Sequence, residues 1–375
     1  YAAAPAVTRT IVFDSDPTSL TLINLSQTYD GSPRPVGTIG TSGPVTVSYK
    51  VAGIYVPDAP AAAGSYAVKA VAGTATKTGT LVIAKAPLLV TPEDKHKFAG
   101  QANPALTRTI TGLVNGETEA VLTQQPALTT TAKTSSPGGL YAIKSSGGAA
   151  ANYTFIHQLG TLVVDSFAGG YEVLLVHTES LPSAKLNLTV AASSQSFSGK
   201  LLTAADTAAL PFSGALTTDP INEQATGTAT ATKNGIPYAV TFTLPLAGDA
   251  SASATRDGLI LGSATDGRKL STRTVTHAGP YTSIMEPAVP AGAGVPAGAG
   301  WAKATISSKG VLTLSGKLAD GTAFASALSP DDGADPGYRL FVKPHLPARA
   351  GSIIAGAFQL APHPQAGAFR HVEAA

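Results

Sequence analysis

The chain has 375 residues, 43 % hydrophobic and 13 % charged, with a formal net charge of +2 and no cysteine. That length predicts roughly two to four domains, and the missing cysteines exclude disulfides, thiolate metal sites and cysteine nucleophiles. Charge is evenly spread, with six basic and four acidic residues in 1–86, five of each in 87–165 and fourteen of each in 166–375. No basic stripe results, so neither nucleic acid nor an anionic lipid surface is an expected partner.

Charged residues reach only about half their usual share, and Ala, Gly, Ser and Thr take their place. Such a surface suits a packed array or fibre, and it also marks many secreted proteins. No run approaches the ~18 apolar residues that a membrane helix needs, so insertion into a membrane is not expected. The chain begins at Tyr1 without a signal peptide. The expectation is a processed product or an excerpt of a longer protein.

The elements are read in chain order as short strands punctuated by turns. An N-terminal extension, 1–17, carries the alternating run Thr8-Arg-Thr-Ile-Val-Phe13. Thr8, Thr10, Ile11, Val12 and Phe13 form a candidate assembly strand that would complete a sheet in a neighbouring subunit.

A first module, 18–86, contains Leu25-Ser-Gln-Thr-Tyr29-Asp30-Gly31, Val45-Thr-Val-Ser-Tyr49, Pro60-Ala-Ala-Ala-Gly64-Ser-Tyr66 and Gly79-Thr-Leu-Val-Ile83. Asp30-Gly31 is turn chemistry, Tyr66 should point its ring inward with its hydroxyl near the rim, and Thr80–Ile83 reads as a buried closing strand. A second module, 87–165, contains Leu88–Gly100, Asn103-Pro104, Ile110-Thr-Gly112-Leu-Val-Asn-Gly116-Glu-Thr118, Ser136–Ile143 and Asn152–Val164. Tyr66 and Tyr141 stand in equivalent places, 75 residues apart, as do Gly79 and Gly160, 81 apart. The link at Ala84–Pro87 is short and predicts a stiff pair.

This order of motifs resembles the MBG repeat ("mostly β, glycine-rich"), a module strung in tandem in very large secreted bacterial surface proteins. The first module resembles its YDG type. The second departs from the usual pattern at Phe98-Ala-Gly100, where a Tyr-Gly pair is common. The resemblance implies Ig-like β-sandwiches, a location outside the cell, and a spacer or building block rather than an enzyme.

Residues 166–361 read as one larger unit made by duplication, with halves of about 166–270 and 271–361, followed by an irregular tail, 362–375. Gly170-Tyr171 recurs as Gly279-Pro-Tyr281, and Phe197-Ser-Gly-Lys-Leu201 as Leu314-Ser-Gly-Lys-Leu318. The second half carries a Pro/Ala/Gly tract at 287–300. Two such halves would pair most simply into one antiparallel barrel, because closure removes the edge strands each would expose. The stretch Leu314–Thr322 resembles a C-terminal module that follows repeat arrays in large secreted bacterial proteins. The fold expected is therefore all-β: two tandem Ig-like sandwiches followed by a larger duplicated barrel.

Signals for chemistry are sparse. The seven histidines form no zinc motif, and no serine sits in a G-x-S-x-G elbow. Asp331, Asp332 and Asp335 lie in a flexible loop and are the candidate Ca²⁺ ligands, with a solvated Asp/Gly/Pro turn as the plainer reading. No other cofactor is expected. Trp301, Tyr281 and Tyr338 form a candidate glycan platform, against the simpler reading of core or barrel-end aromatics.

The function expected is a non-enzymatic extracellular structural protein that self-associates into a surface fibre, layer or matrix. The alternative is an adhesin whose C-terminal barrel binds glycan or another surface protein.

Overall fold

The computed structural model describes residues 20–41, 43–177, 182–203, 206, 208–270, 278–285, 300–318, 321–330, 337–342, 354–362 and 369–372. The chain divides into two compact units, one of residues 1–95, 105–131 and 141–162, the other of 96–104, 132–140 and 163–375.

Period-two alternation builds the first module. Its strands are β1 (Thr21–Ile23), β2 (Ser26–Thr28), β3 (Gly37–Ile39), β4 (Thr46–Val51), β5 (Ile54–Val56), β6 (Gly64–Ala72) and β7 (Ala75–Ala84). They form a β1-β3 pair and a five-stranded sheet, β2-β7-β6-β4-β5, in which β2 runs parallel to β7. Val68, Ala70, Leu81 and Ile83 point into the core, while Lys69 and Val82 between them face outward. Tyr49 is buried, and its hydroxyl accepts the Val36 N–H at 2.8 Å. Tyr66 packs its ring against the core, and its hydroxyl donates to the Ala62 carbonyl at the rim.

The second module repeats the plan with β8 (Ala86–Pro92), β9 (Lys95–Phe98), β10 (Arg108–Thr111), a 3-10 turn (Glu119–Val121), β11 (Leu122–Thr130), β12 (Gly139–Ala150), β13 (Tyr153–His157) and β14 (Leu159–Asp165). Its sheets are β10-β8-β13 and β11-β12-β14-β9. The closing strand buries Leu162 and Val164, as its apolar run predicts. Only Lys85 separates β7 from β8, and one hydrophobic core runs from Leu20 to Tyr153 through both modules.

The barrel follows as an eight-stranded antiparallel meander: β15 (Gly169–Val176), β16 (Pro182–Val190), β17 (Ser196–Thr203), β18 (Leu210–Asp219), β19 (Gln224–Lys233), β20 (Ile236–Pro245), β21 (Ala250–Arg256) and β22 (Leu259–Leu270). It closes where β15 pairs with β22, with Gly170 opposite Leu270 and Glu172 opposite Arg268. Eight strands leave an interior just wide enough for side chains to fill. Here phenylalanines fill it by lying over glycines on the adjacent strand: Phe212 over Gly199, Phe197 over Gly214, and Phe242 over Gly227. A ring beside a β-carbon would overfill this interior; beside a glycine it fits.

Two expectations need correction. The barrel is closed by the first half alone, so the second half is not required to complete it. Once β22 pairs with β15, no edge is left for a second half to join. The second half forms its own sheet, β23 (Gly279–Met285), β24 (Gly300–Ile306), β25 (Leu312–Lys317) and β26 (Ala323–Leu328), in that order. One pairing in this sheet has a counterpart in the barrel. Gly316 of the second Ser-Gly-Lys motif faces Phe324, as Gly199 of the first faces Phe212. Gly316 faces Ala302 where Gly199 faces Leu188. That places β24 two residues away from the plain sequence match to β16, a slip that leaves every side chain on its own face.

The third sheet is β27 (Gly337–Val342), β28 (Ile354–Pro362) and β29 (Phe369–Val372). The second correction is that 369–372, expected in an irregular tail, form a strand paired with β28. Strand β27 runs beside β15 and β16. On those strands the outward-facing Glu172, Leu174 and Lys185 are buried, and Glu172 and Lys185 form an ion pair at 2.6 Å.

Candidate functional site

The most organised polar chemistry in the described residues lies where one module meets the next. In the first unit, the Asp30-Gly31 turn presents Tyr29 to the second module. The Tyr29 and Tyr153 rings meet edge to face with centroids 5.4 Å apart. Both hydroxyls donate to the Glu117 carboxylate, one to each oxygen. The hydrogen bond to Glu117, burial and the nearby negative charge hold the Tyr29 hydroxyl above its ordinary pKa. For Tyr153, burial comes first and the Glu117 bond second, and its pKa is pushed up to about 12. Glu117 is half-buried, and the two phenolic donors satisfy both of its oxygens.

Backbone fit completes the contact. Gly31 has φ +83° and lies so close to Asn115 that a β-carbon would stand 2.4 Å from the Asn115 Cβ. The Asn115 Nδ2 donates to the Gly31 carbonyl at 3.3 Å. Asn152 ties the same junction by accepting the Ala63 N–H through Oδ1 and the Ala86 N–H through its carbonyl. Lys85, between the modules, donates to the Ala150 carbonyl at 2.9 Å.

In the second unit, Phe98 stands two residues before Gly100, which has φ +87°. Its ring lies 5.4 Å from that of Phe167 and belongs to the barrel's hydrophobic core. A β-carbon on Gly100 would approach Gln195 at 3.0 Å. Gln101 and Gln195 both donate to the Thr218 hydroxyl, at 2.9 and 3.1 Å. Lys97 is buried nearby, its amine donating to the Gln101 and Lys133 carbonyls, and burial holds its pKa below the ordinary value. At the opposite barrel end, Asp206 accepts from Thr203, Tyr238 and Lys233. Burial opposes ionisation of Asp206, but these donors outweigh it and its pKa is lowered.

Residues 18–87 match a family model described as MBG domain, and residues 88–163 match one described as MBG domain (YGX type). The first two modules are MBG domains. Such domains are typical of bacterial surface proteins. No curated protein and no solved structure matches the chain. The two family matches span the residues that carry the Tyr29–Glu117–Tyr153 junction, so that junction joins one MBG domain to another.

The predicted aromatic platform does not assemble. Tyr338 is buried, with its hydroxyl donating to the Gly310 carbonyl at 2.7 Å, and Tyr281 packs against the same core. Trp301 is 43 % exposed on the other face of β24, opposite Lys317. Strand alternation separates them, because Tyr281 pairs with Ala304 on the inward face. Asp331, Asp332 and Asp335, and the strand residues Thr8, Thr10, Ile11, Val12 and Phe13, lie outside the described residues. Among the described residues no group of three His, Asp or Glu side chains is placed to hold a metal, and no helix is long and apolar enough to cross a membrane.

Sequence reasoning missed Glu117. The Asn115-Gly116-Glu117 run is visible as a turn, but nothing local signals that its carboxylate meets a tyrosine 88 residues earlier.

Proposed function

We propose that this chain is a non-enzymatic structural component of a bacterial surface fibre, layer or matrix, acting outside the cell through self-association. The observation that carries the reading is the barrel interior, filled by Phe197, Phe212 and Phe242 lying over glycines. The MBG domains support a surface location, and the interlocked junctions suit a load-bearing spacer. Calcium at Asp331, Asp332 and Asp335 belongs to the same proposal as an accessory to assembly. Sedimentation and negative-stain microscopy over a range of concentrations, with and without Ca²⁺, test it. Filaments, sheets or concentration-dependent oligomers support the reading, and a persistent monomer rejects self-association.

A second reading, an adhesin that binds glycan or a surface protein, draws on Trp301, which is half exposed beside Lys317. A glycan array with Trp301→Ala as the control separates the two.

A further inference from the structure

The two junctions share a design that neither module shows alone. In each, an aromatic residue stands two positions before a glycine with positive φ: Tyr29 before Gly31 and Phe98 before Gly100. In each, the ring packs on an aromatic of the segment that follows: Tyr153 for the first, Phe167 for the second. In each, the glycine leaves room for an amide side chain from that following segment: Asn115 for the first, Gln195 for the second.

The difference between the junctions lies in what meets the ring edge. Tyr29 carries a hydroxyl and finds the Glu117 carboxylate. Phe98 carries none and lies in an apolar core with Phe167, Tyr171 and Leu188. The partner chemistry therefore follows the ring chemistry.

We infer that the aromatic-x-Gly turn is a docking plug by which each MBG module engages its successor, and that the ring selects the successor. Tyrosine fits a following module that presents a carboxylate from an Asn-Gly-Glu loop; phenylalanine fits a following domain that presents an apolar floor. The signature residues of this turn then serve the joint between modules, with order along the chain written into one side chain. The inference concerns joints within the chain and stands whether or not the protein self-associates.

The test is a set of full-length variants: Tyr29→Phe, Glu117→Ala, the two combined, and Phe98→Tyr. Thermal unfolding and tryptic cleavage after Lys85 are followed for each. Coupling predicts that the combined variant loses no more thermal stability than the worse single one, because both remove one contact. Cleavage after Lys85 should rise by about tenfold or more in Glu117→Ala as the joint opens, a rate that follows the open population. Phe98→Tyr should lower the midpoint, since it puts a hydroxyl into an apolar core.

Strictly additive losses for Tyr29 and Glu117, or a Phe98→Tyr chain with an unchanged midpoint, would overturn the inference. If Glu117→Ala does not fold, Gly31→Ala with and without Asn115→Gly supplies the same cycle. Asn115 already sits at φ +53°, so glycine there relieves backbone strain and removes the clash together with the Nδ2 bond to the Gly31 carbonyl. Partial rescue by Asn115→Gly is the expected outcome, and no rescue counts against the joint.

Discussion

Gly227 on β19 and Phe242 on β20 stand directly opposite each other, and the Phe242 Cζ lies 2.2 Å from where a β-carbon on residue 227 would be. The ring is fully enclosed by the barrel, so it has nowhere to retreat. Gly227→Ala should therefore cost about 1–3 kcal/mol through overpacking, seen as a lower denaturant midpoint. Gly43→Ala, with nothing within 4 Å of the new carbon, should leave the midpoint where it is. Equal midpoints for the two variants would mean that the barrel interior has slack.

The phenols at the first joint predict an alkaline limit. Both tyrosines have folded pKa values above the unfolded value of about 10, that of Tyr153 about 12. Their stabilisation is thus fully present below about pH 10 and is lost as pH rises through the folded values. Tyrosinate absorbance followed with unfolding should show the first unit weakening over that interval. Tyr153→Phe should remove a step at about pH 12.

Asp206 predicts the opposite limb. Its folded pKa lies below the ordinary carboxylate range because Thr203, Tyr238 and Lys233 donate to it. That stabilisation is present above the unfolded pKa of about 3.9 and disappears as pH falls through the folded value. Asp206→Asn should flatten the acid side of the stability profile while lowering stability at neutral pH. An acid limb of unchanged slope would assign it to other carboxylates.

The Glu172–Lys185 pair is buried on both sides, its side chains only 6 % and 7 % exposed. Lys185→Met takes one buried cation away from the enclosed Glu172 carboxylate and should cost about 3–5 kcal/mol. The double change Glu172→Leu with Lys185→Met should be much milder, because neither charge remains to be desolvated. Chemical denaturation of the full chain distinguishes the two.

Deletion of residues 1–17 tests the assembly strand. If Thr8–Phe13 completes a sheet in a neighbouring subunit, the shortened chain should sediment as a monomer at concentrations where the full chain associates. Unchanged assembly removes that segment from the proposal.

The sequence made the strands legible, and in the first two modules it made the domains legible as well. Period-two alternation at Tyr66–Val71 and the apolar run Gly160–Val164 specify faces directly, since burial follows from parity. Closure of the barrel was less legible. Gly170 and Leu270 lie 100 residues apart, and no local pattern tells a closing strand from an edge. The aromatic candidates failed for a related reason. Composition placed Trp301, Tyr281 and Tyr338 in one half, but the parity of β24 sends Trp301 outward while Tyr281 packs inward. Glu117 was invisible because its partners are set by how two modules stack, which neither module encodes alone.

Closure of β15 onto β22 has a consequence for life at high local density. With a net charge of +2 on 375 residues, electrostatic repulsion between copies is weak, and crowded β-proteins with open flanks tend to coalesce through them. A sheet that ends on itself offers no such flank. Across 169–270, topology thus supplies the colloidal protection that charge supplies elsewhere, independently of salt, and any edge-to-edge association is left to the open sheets on either side.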